Sequence, residues 1–282
     1  MRNIVEVIPA RPTSDGAGVK LKRVFGGRGL ERFDPFLMLD EFGSDESADY
    51  IAGFPPHPHR GFETITYMLN GKMEHQDHLG NVGLIEDGGV QWMRAGKGVI
   101  HSEMPKQTSG LLNGFQLWLN LPAKDKLTPA QYTDFPASHF STTQVEGASV
   151  KALAGEFKLN NQTITGAISH PVTQPVIADI SLVANSQHSL TLAAEYNLML
   201  YVFEGVVEFS HSTQNVRVAA SKLARFSAGD SIEFQVAENS RILLIAGLPL
   251  NEPVVQYGPF VMNTQHEINQ AIIDYQNGVL TD

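Results

Sequence analysis

Three histidines and one glutamate stand at spacings suited to holding a metal ion. His57 and His59 flank a proline in GFPPHPHRGFETITYMLNG, and His101 and Glu103 flank a serine in RAGKGVIHSEMP. On an extended strand, residues i and i+2 point to the same side and lie about 7 Å apart, so each pair presents two donors to one face. If the two strands meet inside a barrel, three imidazoles and one carboxylate converge. That donor set suits a divalent first-row metal with positions left open for water, oxygen or substrate.

Each pair has an alternative explanation when it is taken alone. Two histidines around a proline can form a solvated surface loop, and H-x-E is common by chance, but the two pairs together, with glycines between them, favour a metal site. His75 and His78, in MEHQDHLGN, stand among polar turn residues. We expect these two histidines in a loop or at a cavity mouth, with the replacement of a ligand as the lesser alternative.

The composition indicates a folded protein that does not bind nucleic acid directly. The 282 residues, 42% of them hydrophobic, suffice for one large domain or two ordinary ones. A formal net charge of −10 disfavours contact with phosphate backbones and anionic membranes. The absence of cysteine excludes disulfides, thiolate metal sites and iron–sulfur clusters. Without an apolar signal-peptide core or an 18-residue apolar run, we expect a cytoplasmic protein with no membrane span.

Most of the chain has the pattern of β-strands. Segments rich in β-branched and aromatic residues recur between Gly, Asn and Asp clusters; they include 19–26, 62–69, 89–95 and 115–121. One helix is predicted near the C-terminus, in TQHEINQAIIDYQNG. Thr264 can cap its start with Glu267 as capping-box partner, and Gly278 follows its end. The fold class predicted from the sequence is therefore all-β with a short C-terminal helix.

A change of pattern at 123–147 divides the strand series in two. The proline-containing, weakly periodic segment there places a boundary between an N-terminal domain, 1–135, and a C-terminal domain, 136–282, that includes the helix. Two segments of the second series, 201–209 and 223–234, parallel 67–75 and 91–103 in layout, which indicates two copies of one barrel. The second copy has no H-x-H, and its histidines are scattered at His170, His188, His211 and His266. We therefore predict that the second barrel binds no metal.

Longer motifs carry a family resemblance. G-x₃-H-x-H-x₃-E-x₇-G followed by A-G-x-G-x-x-H resembles the paired motifs of the cupin superfamily. The chain is similar to the pirin family in five segments, at 34–43, 54–71, 78–105, 114–122 and 256–268. The resemblance implies two tandem cupin β-barrels of the jelly-roll type, with one iron in the N-terminal barrel. It also implies that His57, His59, His101 and Glu103 are the metal ligands.

Glu63 stands where cupins usually place their glutamate ligand. A regular strand would put it on the face of His57 and His59, but about 13 Å from His59. Because pirins give the carboxylate role to the position of Glu103, we assign Glu63 to hydrogen bonding behind the ligands or in the core.

The resemblance implies two possible functions. Bacterial pirin-like proteins are similar to quercetin 2,3-dioxygenase, which opens a flavonol with O₂ and releases carbon monoxide. A small aromatic substrate would then meet Glu103 as a catalytic group, within walls that could include Phe54, Met93, Gln116 and Trp118. Core packing is the alternative use of these four side chains. The second function is an iron-containing, redox-sensitive regulator, either a transcription cofactor or a modulator of an enzyme, which requires a protein partner.

The net charge, and the lack of an extended basic or apolar docking segment, favour the enzyme. We expect a monomer that binds Fe(II), although Mn, Ni, Cu and Zn accept the same donors. Histidine ligands must be deprotonated, so metal affinity should fall as the pH drops through about 6.

Overall fold

The computed structural model describes residues 1–27, 33–169, 172–210 and 215–282, and its regular elements are almost all strands. The first half holds β1 (Ile4–Pro9), β2 (Arg11–Asp15), β3 (Val19–Phe25), β4 (Phe36–Ser44), β5 (Phe54–His59), β6 (Phe62–Asn70), β7 (Met73–Asp77), β8 (Val82–Ile85), β9 (Val90–Arg94), β10 (Val99–Pro105), β11 (Leu112–Asn120) and β12 (Gln131–Phe135). Short 3₁₀ turns occupy Ser47–Asp49, Ala123–Asp125 and Ala137–His139.

The second half continues the strand series and ends in one helix. It holds β13 (Thr142–Val145), β14 (Ala148–Ala154), β15 (Glu156–Leu159), β16 (Gln162–Thr165), β17 (Val176–Leu182), β18 (Ser186–Thr191), β19 (Asn197–Glu204), β20 (Val206–Phe209), β21 (Val216–Ala219), β22 (Lys222–Phe226), β23 (Ser231–Val236), β24 (Ser240–Gly247), β25 (Val255–Tyr257), β26 (Phe260–Met262) and α1 (Gln265–Gln276). The predicted all-β class with a C-terminal helix is confirmed. The described part of the chain has no helix with both the length and the apolarity needed to cross a bilayer.

Two compact units divide the chain. The N-terminal unit comprises 11–138 and 250–282, and the C-terminal unit comprises 1–10 and 139–249. Antiparallel sheets build both units. The N-terminal unit has the sheets β12-β9-β6-β11-β4-β3-β2 and β5-β10-β7-β8, with a small β25-β26 ribbon. The C-terminal unit has the sheets β1-β22-β19-β24-β17-β14-β13 and β16-β15-β18-β23-β20-β21.

This division differs from the predicted segments 1–135 and 136–282 at both ends of the chain. The first ten residues belong to the C-terminal unit, since β1 pairs with β22. The last 33 residues, which include α1, belong to the N-terminal unit. There, the Arg60 guanidinium contacts Asp274 Oδ2 at 2.6 Å and the carbonyl of Leu280 at 3.0 Å. Pairings between such distant parts of the chain leave no local pattern, so a boundary drawn along the sequence could not detect them.

The start of α1 has the predicted capping box. Thr264 Oγ1 accepts a hydrogen bond from the Glu267 backbone N–H at 3.2 Å, and Glu267 Oε2 accepts one from the Thr264 backbone N–H at 2.8 Å. Ile268 is fully buried, and Ile272 packs on the same cluster as Phe260. The helix therefore packs through Ile268 and Ile272 within the N-terminal unit.

The interiors of the two units differ in chemistry. One large cluster of buried apolar side chains fills the C-terminal unit; it includes Val150, Ile180, Leu200, Phe209 and Phe234. In the N-terminal unit the described apolar side chains form smaller clusters, and polar side chains are buried between them; these include His59, His75, His101, Glu103 and Gln91. Because buried polar groups cost free energy unless they find partners, this interior is suited to binding rather than to packing alone.

A buried lysine ties together three parts of the N-terminal unit. Lys126 is 1% exposed, and its ammonium group donates to the carbonyl of Gly61 at 2.7 Å, to Asn120 Oδ1 at 2.6 Å and to the carbonyl of Val261 at 3.0 Å. Burial lowers the pKa of Lys126 to about 7. The nearby carboxylates of Glu252 and Glu267 oppose this shift, and the three acceptors together occupy all three donors of the ammonium group. The side chain thereby joins the start of β6, the end of β11 and β26.

Replacing this lysine tests its role. Lys126→Met should lower the free energy of unfolding of the N-terminal unit by about 3 kcal/mol, since three buried acceptors lose their donor. Both tryptophans, Trp92 and Trp118, lie in this unit, so urea unfolding followed by tryptophan fluorescence reports on it. Lys124→Met is the matched control, because Lys124 is exposed. An unchanged midpoint for Lys126→Met would contradict this role.

Candidate metal centre

Three of the four predicted ligands come together between two paired strands. In the antiparallel pair β5–β10, His101 lies opposite His57 and Val99 lies opposite His59. Each of these three histidines offers one ring nitrogen, and the three nitrogens all lie within 4.8 Å of one another. The ring centroids are 4.4 Å apart for His57 and His101, and 5.0 Å apart for His59 and His101. One ion could therefore contact all three rings.

The hydrogen bonds of these rings leave nitrogens free for a metal. His57 Nδ1 lies 2.8 Å from the carbonyl of Pro55 and donates to it, which leaves its Nε2 lone pair available. His101 Nδ1 contacts His75 Nε2 at 2.7 Å, whereas His101 Nε2 is buried without a partner. His59 Nδ1 is likewise buried without one. Because unpaired buried nitrogens are costly, the two orphaned atoms fit a site built for a cation.

Burial also keeps two of these rings neutral. It holds the pKa of His59 and of His101 well below the ordinary histidine value, and the neighbouring imidazoles shift both pKa values in the same direction. The backbone of Pro259 opposes the shift of the His59 pKa. Neutral imidazole is the form that binds metals, so the rings are in the ligand state near pH 7.

Glu103 lies outside this histidine group in the described structure. Its side chain is buried, and Gln116 Nε2 donates to both carboxylate oxygens, at 3.1 and 3.0 Å. Thr66 Oγ1 donates to Glu103 Oε1 at 3.3 Å. The register of β10 against β5 shifts between His101 and Glu103, because their partners on β5, His57 and Phe54, are three residues apart, whereas β10 pairs regularly with β7 through both residues. The fourth predicted ligand is thus oriented by hydrogen bonds from β6 and β11.

Glu63 makes core hydrogen bonds, one of the two roles expected for it. Its carboxylate is fully buried on β6 and accepts from Trp92 Nε1 at 3.1 Å and from Arg94 Nε at 3.0 Å. These partners lie on the neighbouring strand β9 and satisfy its charge there.

The loop prediction for His75 is wrong, and that for His78 is confirmed. His75 lies in the middle of β7 and is fully buried, between the inward-facing Met73 and Asp77. His78 is exposed in the turn that follows. The polar composition of MEHQD is typical of a turn, so it did not indicate a strand. Every second residue of this segment is buried, which is the period of a strand. Because His75 contacts His101 directly, it is the site residue that sequence reasoning missed.

The histidines of the second barrel remain dispersed in the described residues. His188 is buried, but Ser186 Oγ lies 2.7 Å from its Nε2 and Asn160 Nδ2 lies 3.2 Å from its Nδ1. His266 lies on α1, in the other unit. His170 and His211 fall outside the described residues. Both ring nitrogens of His188 are therefore engaged by protein groups rather than open to an ion.

A cleft of about 1020 Å³ reaches His57 and His59 within the N-terminal unit. Its apolar lining includes Phe54 and Trp118, as expected, together with Tyr257 from the C-terminal segment. Gln116 also lines it, but Met93 does not, because it packs in a buried cluster with Val99.

The polar wall of the cleft contains an ion-pair network. Arg23 donates through Nε to Asp40 Oδ1 at 2.9 Å and through Nη2 to Asp40 Oδ2 at 2.8 Å, and Nη2 also reaches Asp15 Oδ2 at 2.9 Å. Burial raises the pKa of Asp40, and the guanidinium of Arg23 opposes that shift. The cleft thus offers an aromatic wall, a polar wall and a histidine cluster to one ligand.

Comparisons with known proteins agree with this architecture. The sequence model of the Pirin family matches residues 18–119, and that of the Pirin C-terminal cupin domain matches residues 177–281. A Pseudomonas aeruginosa protein named "Putative quercetin 2,3-dioxygenase" is 49% identical over 280 residues, which cover 99% of this chain and 98% of that protein. Pirin of Rattus norvegicus is 35% identical over 272 residues, which cover 95% and 90%. The crystal structure of quercetin 2,3-dioxygenase from Acinetobacter baumannii superposes with a TM-score of 0.89 at 31% identity, covering 99% of this chain and 98% of that one. The predicted two-cupin fold is confirmed.

Removing one histidine should empty the site. His101→Ala should keep the fold, while bound metal after equal loading falls by more than about tenfold, since even partners behind the ligands can be worth that much. Metal content measured by mass spectrometry, with circular dichroism to verify folding, checks this. His78→Ala is the matched control, as His78 is exposed in a turn. Stoichiometric metal in folded His101→Ala protein would show that the ligand set is wrong.

Acid should destabilise the metal-free protein through the same rings. The pKa values of His59 and His101 are lowered in the folded state, so below about pH 6.5 the unfolded chain binds more protons than the folded one. Each ring then lowers the free energy of unfolding by up to about 1.4 kcal/mol for each pH unit by which the pH falls. Thermal melting of chelator-treated protein between pH 7.5 and 5 should show a falling Tm, with a shallower fall for the His59→Gln/His101→Gln double variant. Parallel slopes for the two proteins would contradict the assignment.

Proposed function

The chain belongs to the pirin family, and on that premise we propose that it is a metal-dependent dioxygenase that opens a flavonol-like aromatic substrate with O₂. The observation that carries the proposal is the cleft that joins aromatic walls to the histidine cluster. A flat ligand with hydroxyl groups matches both the apolar and the polar wall. The substrate class also follows the names of the relatives from Pseudomonas aeruginosa and Acinetobacter baumannii.

The donor set proposed for the metal is His57, His59, His101 and Glu103. Fe(II) is the proposed metal, and Mn, Ni, Cu and Zn are alternatives that accept the same donors. When bound, the metal supplies Lewis-acid activation of a substrate oxygen and a place for O₂ beside it. The rings of His59 and His101 are buried and neutral, so they bind the ion without first losing a proton.

Trp118 provides a rigid wall for the substrate. Its ring packs at 5.3 Å from the His59 ring and at 4.4 Å from the Phe62 ring, measured between centroids. Its indole Nε1 lies 3.3 Å from Gln116 Oε1, and Gln116 in turn donates to Glu103. This chain of contacts fixes the aromatic wall and the carboxylate relative to each other.

Glu103 has the chemistry of the catalytic base. As a carboxylate that only accepts hydrogen bonds from Gln116 and Thr66, it can take the proton of a substrate hydroxyl on one of its oxygens. Burial of the side chain keeps bulk water away from this proton transfer. The resulting anionic substrate is the form that reacts with O₂.

Turnover of quercetin tests the proposal directly. Protein loaded anaerobically with Fe(II), then given quercetin and O₂, should bleach the flavonol absorbance and release carbon monoxide in equal amounts. A protein that holds its metal but shows no turnover would remove the enzyme assignment and favour a regulatory role with a protein partner.

A carboxylate variant locates the base in the same assay. Glu103→Gln should lower kcat by about 10²–10⁴-fold, because the amide accepts no proton at neutral pH. Glu74→Gln is the matched control, since Glu74 lies on the adjacent strand β7 and pairs with Lys106 at the surface. Wild-type kcat for metal-loaded Glu103→Gln protein would exclude Glu103 as the base.

A further inference from the structure

A fourth buried histidine is hydrogen-bonded to the histidine cluster. His75 lies on β7 directly opposite Glu103 of β10, and its ring centroid is 4.8 Å from that of His101. His75 Nε2 and His101 Nδ1 are 2.7 Å apart, and the two side chains are 0% and 2% exposed. The ring of Tyr132 packs against His75 at 5.0 Å. Water therefore does not compete for this hydrogen bond.

Only one proton can lie between these two nitrogens. The nitrogen that carries this proton decides whether His101 Nε2 can bind a metal ion. If His75 Nε2 donates, His101 accepts on Nδ1, and neutral His101 then carries its proton on Nε2. If His101 Nδ1 donates, the lone pair of His101 Nε2 is free. Nε2 is also the atom of His101 that is buried without a partner. Metal binding through His101 Nε2 is thus compatible with the second arrangement alone.

We propose that His75 is a positioning residue whose Nε2 accepts the Nδ1 proton of His101 and thereby keeps His101 Nε2 aimed and unprotonated for the metal. This inference rests on the metal-binding part of the proposed function. His75 does not act as a substitute ligand, since its nitrogen nearest the cluster is the one bonded to His101. Partners of this kind fix the orientation of a ligand and make it a stronger donor.

The arrangement leaves one proton on His75 Nδ1, which is buried without a hydrogen-bond partner in the structure. An orphaned donor of this kind is unfavourable for stability. The unpaired Nδ1 donor is explained if the site requires His75 Nε2 as an acceptor. A histidine kept only for packing gains nothing from this hydrogen-bond pattern.

Two substitutions of His75 distinguish the effect of its hydrogen-bond acceptor from the effect of its volume. His75→Gln places an amide oxygen near the original Nε2 position, whereas His75→Leu fills space without an acceptor. Competition with a chromophoric chelator gives the Kd for Zn(II). His75→Leu should weaken Zn(II) binding by about 10–100-fold, and His75→Gln should stay within about threefold of wild type. His78→Leu is the control and should bind as wild type does.

These outcomes distinguish an error in the metal site from an error in the positioning role of His75. Failure of the wild type to bind Zn(II) would remove the metal site itself. Wild-type affinity in His75→Leu, or an equal loss in His75→Gln and His75→Leu, would overturn the positioning role while leaving the site intact. Circular dichroism verifies that each variant is folded.

The protonation pattern can also be observed without any variant. In long-range ¹H–¹⁵N spectra of the Zn(II)-loaded wild-type protein, His101 should carry its proton on Nδ1. His75 should carry its proton on Nδ1 and show an unprotonated Nε2. A proton on His75 Nε2 would overturn the proposal, and this result does not depend on whether His75→Leu folds.

Discussion

The pairing register of β10 with its two neighbours is the constraint on which the site depends. Against β5, this register sets His101 opposite His57, and against β7 it sets Glu103 opposite His75. Side chains that share one face of a sheet are close only if the register is correct, and a slip of one residue would turn each of them to the other face. The three ring nitrogens within 4.8 Å are therefore a consequence of backbone hydrogen bonding.

More of the described polar side chains are buried in the N-terminal unit than in the C-terminal unit, and their burial costs free energy unless they find partners. The interior of the C-terminal unit is a continuous apolar cluster, which contributes stability without special partners. In the N-terminal unit, buried groups are satisfied by one another, as Glu63 is by Trp92 and Arg94. The described buried atoms without a partner in this unit include one ring nitrogen each of His59, His75 and His101. The same architecture thus has a largely apolar interior in the C-terminal unit and a polar interior suited to binding in the N-terminal unit.

The C-terminal segment completes the unit that holds the site. Arg60 follows His59 immediately, and its side chain contacts Asp274 and the carbonyl of Leu280. Lys126 adds a contact to Val261. These buried charges connect the strand that carries two candidate ligands to the last part of the chain, and Tyr257 from that part lines the cleft. Folding of the C-terminal segment is thereby coupled to the shape of the site.

Local patterns predicted what depends on spacing along one strand or one helix turn. The H-x-H pair, the third histidine and the capping box at Thr264 belong to this class, and so does the all-β fold. The exchange of the two termini between units depends on pairing across more than 200 residues, which no local pattern carries. His75 was missed because a short polar strand resembles a turn, and the hydrogen bonds of Glu103 depend on Gln116 and Thr66 from other strands.

In the proposed metal centre the three histidine side chains bind one metal ion together. X-ray absorption spectroscopy of the stoichiometrically Fe(II)-loaded protein measures this directly, since imidazole rings give a distinctive multiple-scattering pattern. The expected fit contains three imidazoles and an additional oxygen shell. A spectrum of oxygen ligands alone, without imidazole scattering, would contradict it.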